Sequence, residues 1–336
     1  MKHFMDLLHR EMGIRMRKRM FAMTFIMVMM FILSLFVGKY PLTLDHMIEG
    51  NEQALRVFWT LRFPRTCMAV LGGFGLGVVG MIYQTVLRNP LASPDIVGVS
   101  SGASAGAAFA MLFLSGTMFS VTASAFVGSI LAVILALGLS AVAPGKSNMT
   151  MVLSGLAVHS LAQTMLMILK LSADPERELA AIEYWIMGSL NGITMQKIPF
   201  TCTVTCVCIA ILFLLYRQVL LLSMEEEEAR LLGVPVRQVR MGILVLATLV
   251  VAAIVSVTGI ISFVGLLAPH AARLILKDSR VSTLWLSGIL GSVLLCFSDI
   301  LARSVTANEL PVSIFTSILG APFLIYLMMR KEELHE

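Results

Sequence analysis

Residues 62–107 read RFPRTCMAVLGGFGLGVVGMIYQTVLRNPLASPDIVGVSSGASAGA. Two apolar, glycine-loaded segments flank a short polar turn holding Arg88, Asn89, Pro90 and Pro94, and Arg62 and Arg65 stand just ahead of the first segment. Gly73 and Gly77, then Gly98, Gly102 and Gly106, recur at every fourth position, the spacing that lets membrane helices approach closely. Glycine inside a helix costs about 1 kcal/mol against alanine, so its repetition marks a packing demand or a passage. Neither proline of the turn donates a backbone hydrogen bond, and each biases the residue before it away from helix. The stretch reads as two membrane-spanning helices joined by a rigid, non-helical turn. Such backbone near membrane depth is tolerated only against protein or a water-filled cavity, which points to a gate or an interface.

Composition carries this reading outward to the whole chain. Its 336 residues are 58% hydrophobic and 13% charged, with a mean hydropathy of +0.89, whereas soluble domains carry about 25% charged residues. The expectation is an all-α, polytopic membrane protein forming a single transmembrane domain over 1–336. Arg15, Arg17, Lys18 and Arg19 precede an apolar run from Met20 to Val37. That run has the length of a span rather than of a cleavable signal, whose apolar region is roughly 7–15 residues. Apolar runs of similar length recur at about 67–84, 96–114, 119–142, 149–170, 195–216, 240–258, 260–276, 284–302 and 312–329. About ten transmembrane helices are therefore expected, with Gly259 dividing the 240–276 region at a tight turn. If the N-terminus is cytoplasmic, 17 of the 25 Lys and Arg fall inside and 8 outside, so the positive-inside rule puts both termini in the cytoplasm. The net charge of +5 is thereby an insertion signal and gives no reason to expect nucleic acid.

Two outer loops are longer. Residues 39–61 hold Asp45, Glu49 and Glu52, and residues 171–194 hold AAIEYWIMGSLNG, long enough for a short surface helix with Tyr184 and Trp185 at headgroup level. On the cytoplasmic side, SMEEEEARLLGVPVRQVR at 223–240 carries its own punctuation. Ser223 and Glu226 have capping-box spacing, Glu225 to Glu228 complement the positive end of the helix dipole, and Gly233 with Pro235 ends the helix. A helix of about 224–232 is expected, too short to cross a membrane and with an apolar side needing a partner. Asp299 and Arg303 stand four apart and are spaced to pair, while His159 and Gln163 share a helix face suited to interhelical hydrogen bonding.

Catalytic patterns do not assemble. Gly145-Lys146-Ser147 ends like a phosphate-binding loop, but that motif needs a glycine where Ser140 stands. Cys202, Cys206 and Cys208 share an apolar run without a His or acidic neighbour, so they read as small apolar residues and no metal site is expected. An ion-coupled secondary transporter would carry charged midplane residues, which are nearly absent, and it would leave the bounded cytoplasmic helix unexplained.

The order of several short motifs is more specific. R-F-P-R-T at 62–66, G-x-x-x-Q and then R-N-P-L-A-S-P at 80–94, and G-V-S-S-G-A at 98–103 resemble the FecCD/BtuC-like permeases of type II ABC importers for iron–siderophore complexes, haem and vitamin B12. W-I-M-G-S-L at 185–190, E-A-R-L-L-G at 228–233, F-V-G-L-L-A-P-H-A-A-R at 263–273, D-I-L-A-R at 299–303 and E-L-P-V-S-I-F-T-S-I-L-G-A-P-F at 309–323 continue the match. The resemblance implies a transport subunit in a bacterial or archaeal inner membrane rather than an enzyme. It also implies a second permease subunit, a cytoplasmic ATPase dimer that binds the ATP and magnesium, and an extracellular or periplasmic substrate-binding protein. By motif position, Arg62, Arg65 and Arg303 would dock the binding protein. Glu228, Ala229, Leu232 and Gly233, within a coupling helix at about 223–234, would couple to the ATPase. Asn89 and Leu91 would form the cytoplasmic gate, with Ser147 and Asn148 as its second element. An iron(III)–siderophore complex is the expected cargo, with haem or cobalamin as the alternative.

Overall fold

A computed structural model describes residues 2–40, 42, 50–143, 148–224, 226–233, 235–276, 281–306 and 308–332, with the backbone alone for 2–15, Asn148, Arg230, Met328 and 330–332. Every regular element among the described residues is helical. The long helices are α1 (Lys2–Phe36), α2 (Glu52–Val86), α3 (Val99–Phe113), α4 (Met118–Val142) and α5 (Asn148–Ser172). The short surface helix α6 (Glu178–Ile186) is followed by α7 (Ile198–Leu214), α8 (Tyr216–Leu221), α9 (Glu226–Leu231), α10 (Val236–Thr258), α11 (Val264–Leu276), α12 (Val281–Ser304) and α13 (Val312–Glu332). Each of the ten apolar runs coincides with one helix. Among the described residues six helices are long and apolar enough to cross a bilayer, and α3, α7, α11 and α13 supply shorter apolar stretches.

Two of these, α11 and α3, follow non-helical backbone. Thirteen residues of α11 rise about 20 Å against a hydrocarbon core of about 30 Å. Ahead of α11 the chain runs non-helically from Gly259 (φ +72) to Phe263 (φ +67). Its polar groups find protein partners: Ser313 Oγ donates to the Ile260 carbonyl (2.6 Å) and Ser189 N donates to the Thr258 carbonyl (2.7 Å). Gly98 likewise sits at φ +84 and caps α3, so it does not share the helix face of Gly102 and Gly106.

The sequence places residues 39–61 in a loop, but α2 already begins at Glu52. Asn51 Oδ1 accepts from the backbone of Gln53 (3.0 Å) and Ala54 (3.2 Å), a strong N-cap. A π-turn at Phe58–Arg62 lies directly ahead of Pro64, where the missing N–H would interrupt a regular ladder. Asp45 and Glu49 lie outside the described residues.

α2 is the hub: 78% of its apolar window is buried, against 11% for α1. Its glycines are closed by backbone. A Cβ on Gly77 would stand 2.2 Å from the Ser287 carbonyl of α12, and one on Gly80 would stand 1.8 Å from the Gly265 carbonyl of α11. Ser287 and Ser292 hydroxyls donate across that seam to the carbonyls of Gly77 (2.7 Å) and Val70 (2.8 Å). Gly102 and Gly106 meet the α4 backbone at Gly128 and Ser124 in the same way. At Gly77, Gly102 and Gly106 the spacing serves close helix packing.

Candidate functional site

At the π-turn of α2 and the end of α12, three arginines converge around two carboxylates. Arg65 Nε donates to Asp299 Oδ1 at 2.8 Å and its Nη1 to Glu309 Oε2 at 2.7 Å. Arg303 Nε stands 3.4 Å from Asp299 Oδ2, while its Nη2 donates to the carbonyl and the hydroxyl of Ser34, both at 2.6 Å. Arg62 donates to the carbonyls of Val37 and Tyr40 just past the end of α1. Gly38 makes room for it, since a Cβ there would overlap the Arg62 guanidinium.

All three arginines are buried, with relative exposures of 7%, 7% and 2% for Arg62, Arg65 and Arg303. They line a cavity of about 190 Å³ with Lys39, Tyr40, Asn191 and Glu309. Arg65 Nη2 and Arg303 Nη1 are buried and make no hydrogen bond among the described residues. Spacing along α12 predicts the Asp299–Arg303 pair. It does not predict the shorter bonds that Arg65 makes to Asp299 and Glu309, which are 234 and 244 residues away.

The other end of α2 carries the turn. Arg88 adopts φ +51, unusual for a non-glycine residue, and its Nε donates to the Leu222 carbonyl (3.1 Å). Asn89 Oδ1 accepts from Leu91 N (2.9 Å), and Ala92 N donates to the Asn89 carbonyl (3.0 Å). This Asx turn holds Leu91 out and exposed. Sequence reasoning missed a neighbouring link: Arg273 Nη1 donates to Gln84 Oε1 (2.5 Å), and Gln84 Nε2 to the Leu266 carbonyl (3.3 Å). Two of the quoted motifs, on α2 and α11, therefore meet side by side. Ser147 and the side chain of Asn148 lie outside the described residues.

The same end carries α9, which runs over Glu226–Leu231 and is shorter than expected. The Ser223 hydroxyl donates back to the Leu220 carbonyl (2.6 Å). That bond ties Ser223 to the end of α8, and Glu225, the residue ahead of α9, lies outside the described residues. Gly233 at φ +78 turns the chain and Pro235 precedes α10. Ala229 is buried, whereas Leu231 and Leu232 are 89% and 61% exposed. Arg240 Nη2 lies 3.4 Å from Glu226 Oε2, tying α9 to α10. The interhelical hydrogen bond expected of His159 is not made at Nδ1, which is buried without a partner among the described residues.

Residues 26–330 match the FecCD transport family. The chain belongs to this family. It is similar to the cobalamin import system permease protein BtuC of Halobacterium salinarum, at 36% identity over 84% of this chain and 75% of the relative. It is 32% identical to the iron(3+)-hydroxamate import system permease protein FhuG of Bacillus subtilis, over 92% and 96% of the two chains. A solved inward-facing structure, described as a metal-chelate type ABC transporter, superposes with a TM-score of 0.87 at 30% identity over 94% of this chain and 99% of that one. As a FecCD permease the chain is a transport subunit of an ABC importer, and ATP is hydrolysed on a separate subunit. In this FecCD chain Arg62 and Arg65 are separated from the Asn89–Leu91 turn by the main length of α2. Residues Phe63–Val86 of α2 number 24, a rise of roughly 36 Å.

Proposed function

We propose that this permease passes a metal chelate, in the first place an iron(III)–siderophore complex, received from an external binding protein at the arginine end and released at the α9 end. The passage is driven by a cytoplasmic ATPase dimer acting on α9 in each of two permease subunits. The observation that carries the reading is the separation of two partner-facing features by the length of a bilayer. One is a cationic cavity at the π-turn of α2, and the other is a bounded helix with exposed Leu231 and Leu232 beside the turn that ends α2. In this arrangement the chain crosses ten times, with both termini cytoplasmic, as the distribution of Lys and Arg favours.

ATP binding closes the ATPase dimer and moves the two α9 helices. Arg240–Glu226 and Arg88–Leu222 carry that movement to α10 and to the turn holding Asn89 and Leu91. Each partner shifts the inward and outward states only by its differential affinity for them. The sequence match to a hydroxamate permease and the fold match to a metal-chelate transporter support the iron-chelate reading. The 36% identity to a cobalamin permease favours a corrinoid as the alternative, with haem as a further member of the same class. Relatives named for molybdate extend the range of cargo to be tested. The ion-coupled alternative loses its basis with membership of an ABC family. The test is calorimetry of the transporter's own binding protein against ferric siderophores, haem, cobalamin and molybdate. Tight binding of a ferric siderophore alone is expected, and preference for any other arm overturns the cargo assigned here.

A further inference from the structure

The arginines that a docking partner would need are already engaged inside this chain. Arg65 is held from two sides by carboxylates of very different standing. Asp299 is fixed on α12 with no exposed surface and takes Nε. Glu309 takes Nη1 from the segment joining α12 to α13, and its side chain is 27% exposed. Beside that bond, Arg65 Nη2 is buried and without a hydrogen bond among the described residues, as is Arg303 Nη1, and both residues line the same cavity. A guanidinium binds a carboxylate best through two parallel N–H bonds, and the Nη1–Nη2 edge of Arg65 is the one only half used.

We infer that Glu309 is a built-in occupant of the docking socket, an internal carboxylate that competes with the binding protein's carboxylate for Arg65 and so sets docking affinity. The inference rests on the docking role proposed above for the arginines. Asp299 keeps the guanidinium oriented and neutralised while Glu309 swings out, so exchange costs one partly exposed ion pair instead of a fully buried one. The segment carrying Glu309 is anchored just beyond it by Leu310 N donating to the Ala302 carbonyl (3.0 Å), which leaves the side chain as the moving part. The released competitor turns back to solvent, where a carboxylate is well hydrated.

The test measures the affinity of the purified binding protein for the assembled permease–ATPase complex in lipid nanodiscs. Glu309→Gln removes the competing charge and leaves Asp299 in place. Docking is expected to tighten about three- to fivefold, the scale of a partly exposed ion pair. Glu309→Ala is expected to tighten it as well, which guards against a glutamine that still occupies the socket. Unchanged or weaker docking in both variants overturns the inference. Arg65→Lys keeps the charge and loses the fork, and is expected to weaken docking. If Arg65→Lys and Arg62→Gln both leave affinity unchanged, the docking role itself fails and the inference falls with it. If they weaken it while the Glu309 variants do not tighten it, only the competition is lost.

Discussion

At Asp299 a carboxylate with no exposed surface faces two guanidinium groups, so its removal leaves Arg65 and Arg303 short of counter-charge in a buried site. Breaking such a pair costs about 3–5 kcal/mol. Asp299→Ala is therefore expected to lower the melting temperature of the detergent-solubilised protein sharply, while Glu309→Gln moves it little; equal shifts would contradict the unequal burial. Glycine gives a second contrast. Gly80→Ala forces a Cβ against the Gly265 carbonyl, and overpacking of this kind costs about 1–3 kcal/mol or more. Gly242→Ala, on α10 with nothing within 4 Å of the new Cβ, is expected to be neutral or to stabilise by up to about 1 kcal/mol. Thermal unfolding of the two variants in parallel checks both signs.

Among the elements, α9 has one buried face and one exposed face. Ala229 is buried against the body, so its face is structural, whereas Leu232 is exposed and free to meet a partner. Leu232→Asp is expected to leave the fold intact and to abolish uptake, with the ATPase either failing to assemble or turning over without transport. Gly233→Pro removes the φ +78 turn, since proline holds φ near −65°, and is expected to abolish uptake by misdirecting α9. Assembly on an affinity-tagged ATPase together with substrate uptake reads both, and wild-type uptake in either variant removes α9 from the coupling path. The punctuation of this helix was legible because Gly233 and Pro235 act locally. The early start of α2 turns on Asn51, a single cap inside a segment whose composition reads as loop.

Across the whole molecule, the arginine cavity and the turn at Arg88–Leu91 are separated by the main length of α2, which packs against α10, α11 and α12. The buried arrangement also changes how docking is tested. Reversing Arg65 to glutamate would set three carboxylates together and unfold the site, so the Arg65→Lys and Arg62→Gln variants report docking more cleanly. Short-range chemistry was readable along the chain. Apolar runs marked the helices, Lys and Arg set the expected orientation, and Gly259 and Gly233 marked the turns, because span length and backbone conformation depend on neighbouring residues alone. Ordered motifs also made the family legible. The choice of partners belongs to the folded molecule: Arg65 is shared by Asp299 and Glu309, Arg303 rests on Ser34, Gln84 meets Arg273, and the glycines of α2 close on α11 and α12. Those partners lie hundreds of residues apart, and charge, size and spacing along the chain specify that a buried group needs a partner without specifying which one.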